Sequence, residues 1–370
     1  MEVLVNPGGP SAVRSDDPAA AGDTVRGDRD LWDEVFASQN LVTALKRVER
    51  NRGAAGVDGV ETHELRDWCR QHWVTTRAAL DAGTYRPSPV RQVMIPKPDG
   101  GQRKLGVPTV LDRLIQQAIA QVLSPVFDPG FVPVSYGFRP GKSAHDAVKV
   151  ARLVIEQGYR WVVEVDLDAF FDRVNHDILI SRVARQVKDK RLLKLIRAYL
   201  EAGIMVDGVR QRAGGGTPQG SPLSPLLSNI MLDDFDQEFW GRGHRFVRYA
   251  DDIRVFVKSK RAAERVLEQS TRLLEQRLKL KVNVAKSVIA PAATAVLLGY
   301  GFYFTSSGVR LRIAPKAWLR AKARIRALTS RRWSVSMDYR VRRLNQYVRG
   351  WMGYFRLAHT PRKFSDLDEW

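Results

Sequence analysis

Two adjacent aspartates, at residues 251–252, lie between two runs of β-forming residues. This feature limits the possible folds of the chain more than any other feature of the sequence. Residues 244–249 and 253–257 are rich in Val, Phe, Ile and Tyr, which favours a strand, a tight turn and a second strand. Another β-forming run, at residues 161–165, ends directly before Asp166. The sequence therefore predicts strand ends that carry carboxylates and that could converge.

Carboxylates on separate strands suit divalent metal ions. Transfer of a phosphoryl group to a hydroxyl uses two Mg²⁺ ions about 3.5 to 4 Å apart. Mg²⁺ prefers hard oxygen ligands and usually takes one or two protein carboxylates together with substrate phosphates. Asp166 and Asp251 fit that need, so we expect them to bind Mg²⁺.

The charge of the chain predicts a polyanionic partner, because the net charge is +20 and the isoelectric point is near 10.3. Sixteen Lys or Arg residues lie between Arg310 and Lys363, against a single acid, Asp338. Apolar residues recur at helical spacing within residues 318–328, and the opposite face is basic. A solvated charged helix is the alternative, but so one-sided a balance favours contact with RNA or DNA.

Other features exclude whole classes of protein. The single cysteine, Cys69, excludes a disulfide framework, and the six histidines lack metal-ligand spacing. We find no apolar run of about 18 residues and no signal-like start, so we expect a cytoplasmic protein of bacterial type, without a membrane partner. No Gly-x-Ser-x-Gly elbow supports a hydrolase.

Two loops add candidate substrate contacts. Residues 94–105 are typical of a hairpin whose tip bears Lys97, Arg103 and Lys104, cations that suit a triphosphate. A merely solvated basic tip is the common alternative. Residues 214–225 form a loop dense in Gly and Pro, which favours close approach to a nucleotide or template over an ordinary connector.

Several motifs, taken together and in order, resemble the reverse transcriptases encoded by group II introns. The resemblance runs from about residue 31 to the C-terminus, and the order and spacing of several motifs make it specific. The motifs are GAAGVDG at 53–59, SYGFRP at 135–140, Asp166 with FFD at 170–172, TPQG at 217–220, YADD at 249–252, NVAK at 283–286 and LGY at 298–300.

The resemblance implies an α+β fold shaped like a right hand, with a short antiparallel palm sheet. A flexible tail is expected at residues 1–30, a helical extension at 31–84, and fingers and palm at 85–304. Residues 305–370 would be a partial, basic and helical thumb or maturase region. Because related proteins usually continue with more basic helix, we expect a truncated maturase region and no HNH endonuclease module.

The implied activity is RNA-directed DNA synthesis, in which two Mg²⁺ ions support the addition of dNTPs to a primer 3′-hydroxyl. Asp166, Asp251 and the backbone carbonyl of Leu167 would bind the metal, and Asp252 would be a third, less direct acid. Phe171 would act as a steric gate against a ribose 2′-hydroxyl, while Phe170 fills the core. The substrate contacts implied by the resemblance are Lys97, Arg103, Phe171, Gln219 and Lys286.

The implied partners are an RNA template, the chain's own intron RNA and a DNA primer or target, with a maturase role in RNA splicing. Two alternatives stay open. One is a vestigial RNA-binding protein, although no carboxylate of the motifs is lost. The other is a reverse transcriptase of a CRISPR, phage-defence or diversity-generating system, which the genomic surroundings would distinguish.

Overall fold

The computed structural model describes residues 30–96, 100–206, 209–211, 216 and 220–370. The α-helices are α1 (Leu31–Phe36), α2 (Ser38–Asn51), α3 (Leu65–Asp81), α4 (Val110–Phe127), α5 (Ala144–Glu156), α6 (Phe170–Arg173), α7 (His176–Gln186), α8 (Lys190–Glu201), α9 (Ser224–Gly241), α10 (Lys260–Arg272), α11 (Pro315–Thr329), α12 (Met337–Phe355) and α13 (Pro361–Glu369). The strands are β1 (Val90–Pro96), β2 (Gln102–Val107), β3 (Trp161–Val165), β4 (Ile204–Val206), β5 (Val209–Gln211), β6 (Arg245–Tyr249), β7 (Asp252–Val257), β8 (Val288–Pro291), β9 (Val296–Leu297), β10 (Tyr300–Thr305) and β11 (Gly308–Ile313). A 3-10 turn at Asp128–Gly130 and a π-helical turn at Leu273–Arg277 complete the described elements.

The chain forms two compact units that interleave along the sequence. The first comprises the described parts of Met1–Val132 and Asp168–Gly243, with Leu273–Lys281. The second comprises Pro133–Leu167, His244–Arg272 and Val282–Trp370. The boundaries expected after residues 30, 84 and 304 remain predictions.

The first unit is built around two largely buried helices, α4 and α9. Both helices are apolar around most of their circumference, so burial against other elements is the favourable outcome. The Thr109 side chain caps α4 by accepting a hydrogen bond from the Asp112 amide. A mixed sheet has the order β2-β1-β4-β5, and its antiparallel β1–β2 pair confirms the hairpin predicted at residues 94–105.

The second unit contains a four-stranded sheet in the order β6-β7-β3-β8, and all of its pairings are antiparallel. Helix α5 packs on β6, and α10 packs on β3 and β7. A smaller sheet, β11-β10-β9, leads into helices α11, α12 and α13. These elements confirm the predicted α+β class, the short antiparallel sheet backed by helices, and the helical C-terminal region.

Helix α12 is attached to the turn before β10 by aromatic side chains. Tyr300 is fully buried, and its ring lies 5.1 Å from the ring of Phe355, centroid to centroid. The Tyr354 hydroxyl donates to the Leu298 carbonyl at 2.8 Å. No helix in the part of the chain that the structure describes is long and apolar enough to cross a membrane.

A buried carboxylate, Asp112, joins several segments of the first unit. Its Oδ1 accepts a hydrogen bond from the Tyr85 hydroxyl at 2.7 Å. Its Oδ2 accepts from the Ser88 amide at 3.1 Å and from the Thr109 hydroxyl at 2.8 Å. Asp112 is 1% exposed, and burial raises the pKa of its carboxyl. The bonded donors are therefore the main compensation for its burial.

Replacing Asp112 with Leu should lower the free energy of unfolding by at least about 2 kcal/mol, because buried donors lose their acceptor. Urea unfolding measures this change. Asp67→Leu is the control, since Asp67 is an exposed partner of Arg70 and its loss should cost less than about 0.5 kcal/mol. Equal stability of the two variants would contradict this role of Asp112.

Candidate active site

Carboxylates meet at one end of the four-stranded sheet because of the register of its two central strands. Strand β3 is antiparallel to β7, and Val165 lies opposite Ile253. Asp166 follows Val165, and Asp252 precedes Ile253, so both aspartates stand at the same end of the sheet. Asp251 is exposed in the turn next to them. The convergence predicted from the sequence is thus present in the fold.

The predicted hairpin turn is confirmed, although it is one residue shorter than expected, because Asp252 belongs to the second strand. Asp252 pairs with Tyr249 and belongs to strand β7, so the turn itself consists of Ala250 and Asp251. Ala250 has a φ of +58°, a left-handed conformation that is unfavourable for an L-residue. The fully buried Arg248 donates from Nη1 to the Ala250 carbonyl at 2.8 Å and so holds this turn.

A segment before α5 supports the same turn. The Tyr136 amide donates to the Arg248 carbonyl at 2.9 Å, and the Arg248 amide donates to the Val134 carbonyl at 3.1 Å. Gly137 then lies directly against Ala250: a Cβ at Gly137 would overlap the backbone of the turn. Only glycine leaves room for this approach.

Asp166 is fixed by a different loop of the second unit. Its amide donates to the Ser287 hydroxyl at 3.1 Å, and its carbonyl accepts from the Asn283 amide at 2.8 Å. Leu167 forms an isolated bridge with Val282. Lys286 is exposed on this same loop, so the loop that carries Lys286 also holds the Asp166 backbone.

The acids at the sheet end share one electrostatic environment. Burial raises the pKa of the Asp252 carboxyl, the nearby charges of Glu164, Asp251 and Asp166 also raise it, and Arg254 opposes the rise. The Arg254 guanidinium pairs with both Asp252 and Glu164. The Arg254 cation therefore balances part of the negative charge at this end of the sheet through Asp252 and Glu164.

The carboxylate oxygens of Asp166 and Asp251 are ligands of the type that a divalent cation prefers. Among the described residues, no group of three or more His, Cys, Asp or Glu side chains forms a ready-made metal cage. Mg²⁺ does not require one, because it usually takes one or two protein carboxylates and completes its shell with substrate phosphates and water. Asp166 and Asp251 offer hard oxygens beside a repelling third acid, so a bound dication would relieve the repulsion.

Of the other predicted site residues, Arg103 and Phe171 belong to the first unit. Lys97 and Gln219 lie outside the described residues. Arg103 is exposed on β2, next to the tip of the hairpin. Phe171 is half-buried on α6, whereas Phe170 is 3% exposed, which confirms the expectation that Phe170 packs in the core.

Within the Gly-rich loop, residues 214–215 and 217–219 lie outside the described residues, and Gly216 packs closely against another segment of the chain. A Cβ at Gly216 would overlap the backbone of Phe171 and Asp172, and the Gly216 amide donates to the Val174 carbonyl at 2.8 Å. The His176 ring contacts the Gly216 carbonyl at 2.6 Å. The sequence predicts that this loop closely approaches a nucleotide or template. At Gly216, the close contact is instead with the backbone of Phe171, the predicted steric gate, and of Asp172.

Sequence reasoning missed the roles of Arg248 and Gly137. The sequence shows only an arginine two residues before Ala250 and a glycine inside the SYGFRP motif. Neither signal identifies its partner without the fold.

Comparison with known proteins agrees with this geometry. The sequence matches the family "Reverse transcriptase (RNA-dependent DNA polymerase)" over residues 95–302 and "Group II intron, maturase-specific domain" over residues 319–370. Protein YkfC of Escherichia coli (strain K12) is 35% identical over 289 residues, which cover 67% of this chain and 76% of that protein. The chain belongs to the reverse transcriptase family.

Within that family, it is of the group II intron-encoded reverse transcriptase/maturase type. The group II intron-encoded protein LtrA of Lactococcus lactis subsp. cremoris is 41% identical over 160 residues, which cover 43% of this chain and 26% of that protein. The chain thus matches about a quarter of the length of LtrA. A solved structure, a partial Cas6-RT-Cas1–Cas2 complex, is similar at 28% identity with a TM-score of 0.44, covering 68% of this chain and 43% of that one.

Replacing Gly137 with Ala should push the Ala250 turn, and with it Asp251, out of position. A misplacement of about 1 Å can cost on the order of 10²-fold in rate, so we expect such a fall in kcat for primer extension. Gly130→Ala is the matched control, because a Cβ at Gly130 meets open space. An unchanged kcat in the Gly137 variant would contradict the tight contact.

Proposed function

We propose that this protein is an RNA-directed DNA polymerase, which adds dNTPs to a primer 3′-hydroxyl along an RNA template. The observation that carries the proposal is the β3–β7 register, because it brings Asp166 and Asp252 to one sheet end beside Asp251. Membership of the reverse transcriptase family supports the same reaction. Such enzymes use divalent metal ions, and the two-ion form is our proposal.

Asp166 and Asp251, with the backbone carbonyl of Leu167, would hold two Mg²⁺ ions. When bound, these ions supply Lewis-acid activation of the 3′-hydroxyl and charge stabilisation of the leaving pyrophosphate. Asp252 would shape the field at the site, because its carboxylate already pairs with Arg254. Arg248 would keep Asp251 in place through the Ala250 carbonyl.

The substrate contacts rest on the sequence and on the resemblance. Lys97 and Arg103 would bind the triphosphate, Gln219 would touch the incoming nucleotide, and Phe171 would exclude a 2′-hydroxyl. Lys286 would lie near the primer end, which is supported by its place on the loop that holds Asp166. These residues would belong to fingers and palm at residues 85–304.

The basic C-terminal region would bind RNA. Helix α11 exposes Lys316, Arg320 and Arg324, whose spacing of four residues places them along one face of the helix. The match to the maturase-specific domain supports binding of the chain's own intron RNA and a role in splicing. A DNA primer or target would be the other nucleic-acid partner, and the bacterial-type cytoplasm would supply the dNTPs.

Asp251→Asn should reduce primer extension with dNTPs and Mg²⁺ on the order of 10³-fold or more, since the metal supplies several kcal/mol of charge stabilisation. RNA affinity should stay nearly unchanged, because the basic surface is intact. Asp177→Asn is the control, since Asp177 is exposed and pairs with Arg197. Retained extension by the Asp251 variant would refute the assignment.

Phe171→Ala should admit ribonucleotides, because the ring that would collide with the 2′-hydroxyl is gone. We expect the ratio of kcat/KM for dNTP to that for rNTP to fall on the order of 10-fold or more. Phe304→Ala, an exposed phenylalanine on β10, is the control. The same ratio in the Phe171 variant and the unmodified chain would rule out the gate.

A further inference from the structure

Phe138 combines two unfavourable features beside the turn that carries Asp251. Its side chain is 56% exposed, and its φ is +60°. Among the described residues, no other large apolar side chain with such exposure has a left-handed backbone. Exposing an aromatic ring and straining its backbone both cost free energy, and strain of this kind clusters at functional sites.

The loop around Phe138 is held from several sides. The Tyr136 amide bonds to β6, and the Arg139 Nη1 donates to the Ser135 carbonyl at 3.0 Å. The Lys142 ammonium donates to the Pro133 carbonyl at 3.1 Å and lies 5.3 Å from the centre of the Tyr136 ring. The exposed ring is therefore carried by an ordered loop, which lowers the entropy cost of using it in binding.

Phe138 is also close to the candidate active site. Gly137 contacts the backbone of Ala250, and consecutive Cα atoms are about 3.8 Å apart. Asp251 follows Ala250 directly. Phe138 thus directly follows the residue that contacts the backbone of the turn that carries Asp251, and more than half of its surface is exposed.

We propose that Phe138 stacks on an unpaired nucleobase of the template, at the position next to be copied. The proposal rests on the proposed function and deepens it. Paired bases inside a duplex have both faces occupied by their neighbours, whereas an unpaired base next to the primer end presents a free face. Aromatic side chains stack on such bases with little dependence on sequence, as a template-reading enzyme requires.

The test uses a primer–template that carries 2-aminopurine at the first unpaired template position, where stacking on a ring quenches its fluorescence. No dNTP is added, so the readout does not depend on polymerisation. We expect the unmodified chain to quench the probe. Phe138→Gly, which accepts the positive φ without strain, should lose the quenching and weaken affinity about 5- to 150-fold.

Phe138→Tyr keeps the ring and should retain both the quenching and the affinity. Phe304→Ala removes an exposed ring elsewhere in the same unit and should behave as the unmodified chain. Quenching that is absent from the unmodified chain, or that persists in Phe138→Gly, would overturn the proposal. Quenching without any primer extension would instead leave the stacking intact and contradict the proposed polymerase activity.

Discussion

The register between β3 and β7 is the constraint on which the rest of the site depends. Antiparallel pairing of Val165 with Ile253 leaves Asp166 and Asp252 at one sheet end, where their charges repel. A slip of one residue would turn every side chain of a strand to the opposite face, so the buried residues of both strands fix the register. Burial of the sheet therefore stabilises an arrangement of acids that is unfavourable on its own.

Neighbouring residues offset the repulsion between these carboxylates, and different residues act on Asp252 and on the turn that carries Asp251. Arg254 neutralises part of the charge through Asp252 and Glu164. Arg248 and Gly137 hold the turn that carries Asp251 in a left-handed conformation. Asp166 and Asp251 add carboxylate oxygens at the same sheet end, and such hard oxygens are the ligands that a divalent cation prefers.

Much of the site could be predicted from the sequence, because it depends on local patterns. Runs of β-forming residues predict strands that end at Asp166 and next to Asp251. Apolar residues at helical spacing within residues 318–328, opposite a basic face, predict helix α11. The partners of these residues could not be predicted. The pairing of Arg254 with Glu164 needs the strand register, and the contact of Gly137 with Ala250 joins segments more than a hundred residues apart. Close approaches of that kind follow from packing and leave no local signal.

The most direct test of the central claim is a structure of the full chain with a primer–template that ends in a dideoxynucleotide, a matching dNTP and Mn²⁺. Anomalous scattering then locates the metal. Our account predicts Mn²⁺ ions about 3.5 to 4 Å apart, bound by Asp166 and Asp251, with Asp252 still paired to Arg254. Metal ions that do not contact Asp166, or that do not contact Asp251, would contradict the account.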